Sequence, residues 1–135
     1  MSIVRIILAV ERPLFADVLR RLFLGHDDLR VEAQVPDEIG AAVALRKLLV
    51  HQEIPTEDPL VVITLIADRE EIPPVCMRLI YEFPEVHMFC IDADSGKVRS
   101  FRGSIQIKEL QGSLENLVQE LRSLVRHGDF EEGSS

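Results

Sequence analysis

A chain of 135 residues is the length of one domain with room for a substantial core. Its 47% apolar and 28% charged content is that of an ordinary globular protein, and a net charge of −8 argues against a nucleic-acid backbone as partner. No stretch approaches the roughly 20 apolar residues of a membrane span. The apolar start also carries Arg5 and no cleavage-site pattern, so the expectation is a cytoplasmic protein. Cys76 and Cys90 lie in apolar segments, as reduced, buried thiols do.

The run from Ile3 to Val10 is short and apolar almost throughout, the pattern of a strand buried on both faces. After the polar turn at Glu11-Arg12, Pro13 suits the first position of a helix. That helix carries Leu14, Phe15, Val18, Leu19, Leu22 and Phe23 as one apolar stripe, and Gly25 stands at its C-terminal cap. Leu29 to Val35 alternates apolar and polar, which predicts a strand near a sheet edge with one wet face. Asp37 caps a helix from about Glu38 to Val50, whose Ile39, Ala42, Val43 and later leucines form a broad apolar face. His51 to Pro59 is a polar loop, longer than most connections.

Leu60 to Ile66 is the most strand-like run of the chain and belongs at the centre of the sheet, followed by a turn over Ala67 to Glu71. Pro73-Pro74 leads into a helix with Val75, Cys76, Leu79, Ile80 and Phe83 on one face, ended by Pro84. Val86 to Ile91 is the next strand, and Asp92-Ala-Asp-Ser-Gly-Lys97 is a turn-forming cluster. From Val98 to Leu110 no helical stripe exists, but Ser100 to Ile107 alternates as a strand does. Ser113 is the N-cap of a last helix with Leu114, Leu117, Val118, Leu121, Leu124 and Val125 in register. Residues 1–126 therefore form one domain and 127–135 a polar, acidic tail or linker. Alternating strands and helices predict an α/β fold: a doubly wound, five-stranded parallel sheet whose helix between strands 4 and 5 is shortened or missing.

Leu8-Ala-Val-Glu-Arg-Pro-Leu-Phe15, Leu19-Arg-Arg-Leu22, Asp28-Leu-Arg-Val31 and Glu82-Phe-Pro-Glu-Val86 together resemble bacterial response-regulator receiver domains. The nearest likeness is to receivers attached to LuxR-type DNA-binding domains, over residues 3 to about 126. The resemblance implies a flavodoxin-like fold, two-component signalling and a role in transcription regulation. It also implies a phosphorylation site: two acids after the first strand that hold Mg²⁺, an aspartate ending the third strand, a Ser/Thr after the fourth and a Lys after the fifth. In this sequence the acidic pair matches Val10 and Glu11, and the acceptor falls on Leu65, or on Thr64 one residue earlier. The switch position matches Asp92, and Lys108 stands near the Lys position, at a short distance along the chain and without the following Pro. The resemblance is thus to a degenerate receiver, or pseudo-receiver, which lacks the phosphoacceptor aspartate.

Glu11, Asp92 and Lys108 are expected to converge at the carboxyl edge of the sheet, where Asp92 paired with Lys108 would set a fixed charge in the place of phosphate. The alternative is ordinary solvated loop-end charges, whose pairing is worth ~0–1 kcal/mol. No metal or cofactor is expected. The weak candidates for a cation site are Glu11, Asp68 and Asp92, with Asp94 beside them, all of them oxygen donors. His26, His51, His87 and His127 have no metal-ligand spacing, and neither a Gly-rich phosphate loop nor a nucleophile–base grouping is present.

Two functions remain. The first is a non-enzymatic signalling module acting by phosphorylation-independent protein–protein interaction or dimerisation, through Val98 to Leu110 and the last helix, without membrane contact or direct nucleic-acid binding. The second is a small-ligand-binding or enzymatic flavodoxin-like domain with a site at the strand carboxyl ends.

Overall fold

The computed structural model describes residues 2–50, 58–66, 74–102, 105–110 and 116–125; within these, the side chains of residues 38, 74–76, 80 and 105–110 are not described. Its elements are β1 (Val4–Ala9), α1 (Pro13–Leu24), β2 (Leu29–Val35), α2 (Glu38–Val50), β3 (Leu60–Ile66), α3 (Pro74–Glu82), β4 (His87–Asp92), β5 (Val98–Arg102) and β6 (Ile105–Leu110). A further helix, α4, spans residues 116–125. They build an α/β sandwich around one six-stranded sheet of order β2-β1-β3-β4-β5-β6. The loop after His51, the turn at Ala67 to Glu71, the cap at Ser113 and the tail from His127 lie outside the described residues.

Strands β2, β1, β3 and β4 are mutually parallel, with β1 and β3 at the centre as their unbroken apolar runs require. One face buries Val4, Ile6, Leu8 and Val10 with Val61, Ile63 and Phe89 against Leu19 and Phe23 of α1 and Leu117 and Leu121 of α4. The other buries Ile7, Val62 and Met88 with Leu45 and Leu48 of α2 and Leu79 and Phe83 at the end of α3. The alternation of side chains along each strand thus feeds two cores, one per helix layer.

The expected sheet of five parallel strands is corrected to six, with one strand reversed. Only residues 93–97 separate β4 from β5, whereas a parallel return needs a crossover of a dozen residues or more. The chain therefore turns back on itself, and β5 pairs antiparallel with β4 and with β6. No helix lies between β4 and β5. The single strand read over Ser100 to Ile107 is in fact the end of β5 and the start of β6.

Strand β2 also departs from its simple alternation. Ile6 pairs with Val31 but Ile7 pairs with Ala33, so Glu32 is an extra residue in a bulge. Beyond it the strand changes face. Leu29 and Val31 pack towards α1, whereas Ala33 and Val35 pack towards α2. The edge strand has no single wet face, because the bulge shares its apolar residues between both layers.

The bulge serves an ion cluster at the amino end of the sheet. Arg5 of β1 donates through Nη1 to Glu32 Oε2 at 2.8 Å and through Nε to Asp58 Oδ2 at 2.9 Å, while Asp58 Oδ1 accepts the Ile3 N–H at 3.0 Å. Burial works against the Arg5 charge, but the bonds from Glu32 and Asp58 outweigh it and raise its pKa. The Asp58 side chain is 2% exposed. Asp58→Ala leaves the Arg5 guanidinium with Glu32 alone and takes the acceptor from the Ile3 N–H, so chemical denaturation should show a loss of about 1.5–3 kcal/mol.

Helix α1 begins at Pro13 and α2 is capped by Asp37, whose Oδ1 accepts the Gly40 N–H at 2.9 Å. Both helices pack most of the face that their periodicity suggested against the core, Phe15 and Leu22 of α1 and Ala42 and Leu49 of α2 included. Each is rotated enough to leave part of that face in solvent. In α1, Ala16, Leu19 and Phe23 are buried, leaving Leu14 and Val18 exposed; in α2, Ala41, Leu45 and Leu48 are buried, leaving Ile39 and Val43 exposed. The cause in α2 is local. A Cβ on Gly40 would lie 2.8 Å from Cβ of Val35, so only glycine lets the helix seat this close to β2. Gly25, at the C-cap of α1, has an ordinary φ of −80° and open space around it. Gly40→Ala should therefore cost about 1–3 kcal/mol through overpacking, whereas Gly25→Ala should be neutral or stabilise by up to about 1 kcal/mol; equilibrium denaturation of the two variants checks the contrast.

Candidate functional site

The carboxyl edge of the sheet is where an α/β fold of this kind presents its chemistry. Across it, the Val10 N–H donates to the Val35 carbonyl at 3.0 Å, Ala9 is level with Thr64, Thr64 with Cys90, and Ile66 with Asp92. Val10 and Leu65 each lie one residue beyond the Ala9–Thr64 pair, side by side at the ends of β1 and β3. Val10 is 3% exposed, and Leu65 packs against the same α1-side core. The two positions that the receiver resemblance gives to a metal ligand and a phosphoacceptor thus both belong to the apolar core on the α1 side. Thr64 is 1% exposed and enclosed between β1 and β4, out of reach of a phosphodonor.

Glu11, next to Val10, is exposed in an open, shallow hollow with Arg12, Pro13, Leu14, Phe15 and Val18. Asp68 lies outside the described residues, and among those described no three His, Cys, Asp or Glu side chains come together as a metal site.

Asp92 has a structural task. Its Oδ1 accepts the N–H of Asp94 at 2.9 Å and of Ser95 at 3.3 Å, and its own N–H donates to the Lys97 carbonyl at 2.8 Å. Gly96, at φ 76°, supplies the left-handed residue that closes the turn. The Asp94 N–H above all, then the Ser95 groups and the Arg99 charge, hold the carboxyl below its ordinary pKa against the effect of desolvation. A carboxylate at this position thus folds the β4–β5 hairpin.

Lys108 does not reach the carboxyl edge along the backbone. It is paired with Ser100, which is paired with Phe89, so it stands two strands from β4 and level with a residue three before Asp92. At ordinary sheet spacing its backbone is roughly 14 Å from that of Asp92. The reversed β5 occupies the place beside β4 and displaces the following strand outwards. The Lys108 side chain, and with it the expected Asp92–Lys108 pair, lies outside the described residues. Ser100 itself is 5% exposed, and among the described residues its hydroxyl has no hydrogen-bond partner.

His87 is a strand-end histidine with two neighbours that matter. It is half-buried at the start of β4, directly across from Arg102 of β5. Burial, then the Arg102 charge, push its pKa down to about 4 from 6.5. Neither partner could be inferred without the antiparallel register that brings them together. Cys90 is a buried free thiol, as read from its apolar strand.

The chain matches no protein-family model, no curated protein and no solved structure. No described helix is long and apolar enough to cross a membrane.

The unfolded chain protonates His87 near pH 6.5, while the folded one does so only near 4. Stability from this group is therefore complete above pH 6.5 and falls as the pH drops towards 4, by up to about 3 kcal/mol. His87→Gln should flatten that part of the stability profile, and Arg102→Gln should raise the His87 midpoint in an NMR titration. An unshifted midpoint in the native protein would contradict this account.

Proposed function

We propose that this chain is a receiver-like signalling module of flavodoxin-like architecture that has no phosphoryl switch and acts by binding another protein. The observation that carries the reading is that Val10 and Leu65, at the ends of β1 and β3, are both taken up in the apolar core. An aspartyl phosphate needs a carboxylate at the end of β3, and Mg²⁺ needs oxygen donors at the end of β1. Leu65 stands at the first place and Val10 at one of the two metal-ligand positions, both used for packing, which leaves Glu11 as the one carboxylate of that pair. Four parallel strands in the order β2-β1-β3-β4, with helices on both faces, support the architectural half of the reading.

In this reading the surface that meets the partner is the β5–β6 hairpin with α4, because that is where the chain departs most from a simple parallel sheet. The departure replaces a crossover helix by a strand and leaves β6 at the sheet edge. The pairing of β5 with β6 is itself irregular, with a shift between Ser100 and Phe101, and such a bulge discourages indiscriminate strand addition. Side-chain contacts rather than an extended sheet then give the partner its specificity. Catalysis has no part in this reading, and neither has a bound metal. A small-ligand domain is the second reading, favoured only by the open hollow at Glu11 to Val18, whose polar groups do not converge.

Incubation with Mg²⁺ and acetyl phosphate, followed by intact mass spectrometry, should leave the mass of the protein unchanged. A single stoichiometric phosphate addition would overturn the proposal.

A further inference from the structure

We infer that the β5–β6 hairpin is an acid-operated flap, which opens from β4 at its free end and uncovers the apolar pair Met88 and Phe101. The register gives the hairpin one attached end and one free end. At the attached end Val98 pairs with Ile91 of β4 on one side and with Leu110 of β6 on the other. The chain enters the hairpin there from residues 93–97 and leaves it there after Leu110. Asp92 fastens this end, since both its carboxylate and its own N–H hold the turn. At the free end Arg102 pairs with Ile105 of β6 and faces His87 of β4. Because β6 is the edge of the sheet, the β4–β5 ladder is the hairpin's one link to the parallel strands. A hinge at one end, a tip at the other and a single ladder between them are the parts of a flap.

His87 is where acid acts on this ladder. It lies on the same face of β4 as Phe89 and Ile91, the face that α1 and α4 cover. The charged residues of those helices are Asp17, Arg20, Arg21, Glu120 and Arg122, of which Arg20 is bound to Gln34 and Arg122 to Asp28. Strand β3 sets the apolar Val61 level with His87, and the exposed Glu85 precedes β4. Of the charged groups described, Arg102 alone bears on His87, and with the same sign. Protonated His87 is thus a half-buried cation directly opposite a second cation, a pairing that opposes the ladder. Opening the free end parts the two charges and returns His87 to water. Two further features make the hairpin easier to open than the parallel strands. Among the described residues the buried Ser100 hydroxyl has no partner, and the β5–β6 pairing shifts between Ser100 and Phe101. The parallel strands, by contrast, are tied together by the Arg5 cluster. Opening draws Phe101 from its pair Met88, both of them buried while the flap is closed.

The flap needs nothing from the receiver-like reading, and a phosphate addition in the mass test would leave it untouched. Amide hydrogen exchange of the whole chain at about pH 7.5 and about pH 5, corrected for intrinsic rates, tests it. His87 takes its proton near pH 6.5 when open but only near 4 when closed. The opening equilibrium of the β5 amides should therefore rise roughly thirtyfold between the two conditions. Whole-chain unfolding frees His87 as well, so urea separates the two events. Exchange in β5 should be indifferent to low urea, as local opening is, whereas β1 and β3 should exchange more slowly and respond to urea. His87→Gln should abolish the rise in β5. Arg102→Glu, which offers the protonated imidazole a carboxylate, should reduce it. Exchange in β5 as slow and as urea-sensitive as in β1 and β3 would overturn the inference, as would a rise that persists in His87→Gln. The urea response of the native chain decides the matter even if His87→Gln does not fold.

Discussion

Arg5 is the tie on which the arrangement of the strands depends. One guanidinium binds the carboxylate of Glu32 from β2 and that of Asp58 at the entrance to β3, so the charge joins three neighbouring segments at the amino end of the sheet. Such a cluster is expensive to desolvate and is favourable only when its bonds are complete. The second carboxylate oxygen of Asp58 is accordingly used by the Ile3 N–H, at the start of the chain. The bulge in β2 is the backbone change that accompanies this cluster. It places Glu32 as the extra residue beside Arg5 and moves the next apolar pair, Ala33 and Val35, to the α2 side of the sheet. Val35 then meets Gly40, and that contact fixes how α2 is turned. A chain of local contacts thus runs from a buried charge to the helix face that remains in solvent.

At the opposite end of the sheet the same parallel strands lead to a quieter surface. The ends of β1 and β3 are closed by Val10 and Leu65, and the end of β4 is committed to a turn by the Asp92 carboxylate. Each of these residues has a packing or turn-forming role. The short turn that Asp92 organises also reverses the next strand, so the antiparallel part of the sheet has its origin in residues 92–97. The half-buried His87, facing Arg102 across the reversed pair, is a by-product of that reversal.

Much of the fold was legible in the sequence, because the cores on both sides of the sheet are written in periodicity. The apolar runs of β1 and β3, the Pro13 start of α1, the Asp37 cap and the buried Cys90 all follow from short-range rules. The residue types at the strand ends, Val10, Thr64, Leu65 and Asp92, were equally legible, since they are a matter of identity alone. So was the lack of a helix between β4 and β5, although the length of the turn could also have revealed the reversed strand.

What the sequence determined by itself is therefore the class of elements, their order and the chemistry available at the strand ends. Tertiary structure alone decided register and rotation. A single extra residue at Glu32 changes the face of every residue after it, and no local pattern marks that residue as extra. One missing Cβ at Gly40 sets which of two apolar faces of α2 turns inwards. Asp58 and Arg5 are 53 residues apart, and His87 and Arg102 face one another only through an antiparallel pairing. These are contacts between segments whose relative position is set by the packing of the whole sheet, which no sequence window contains.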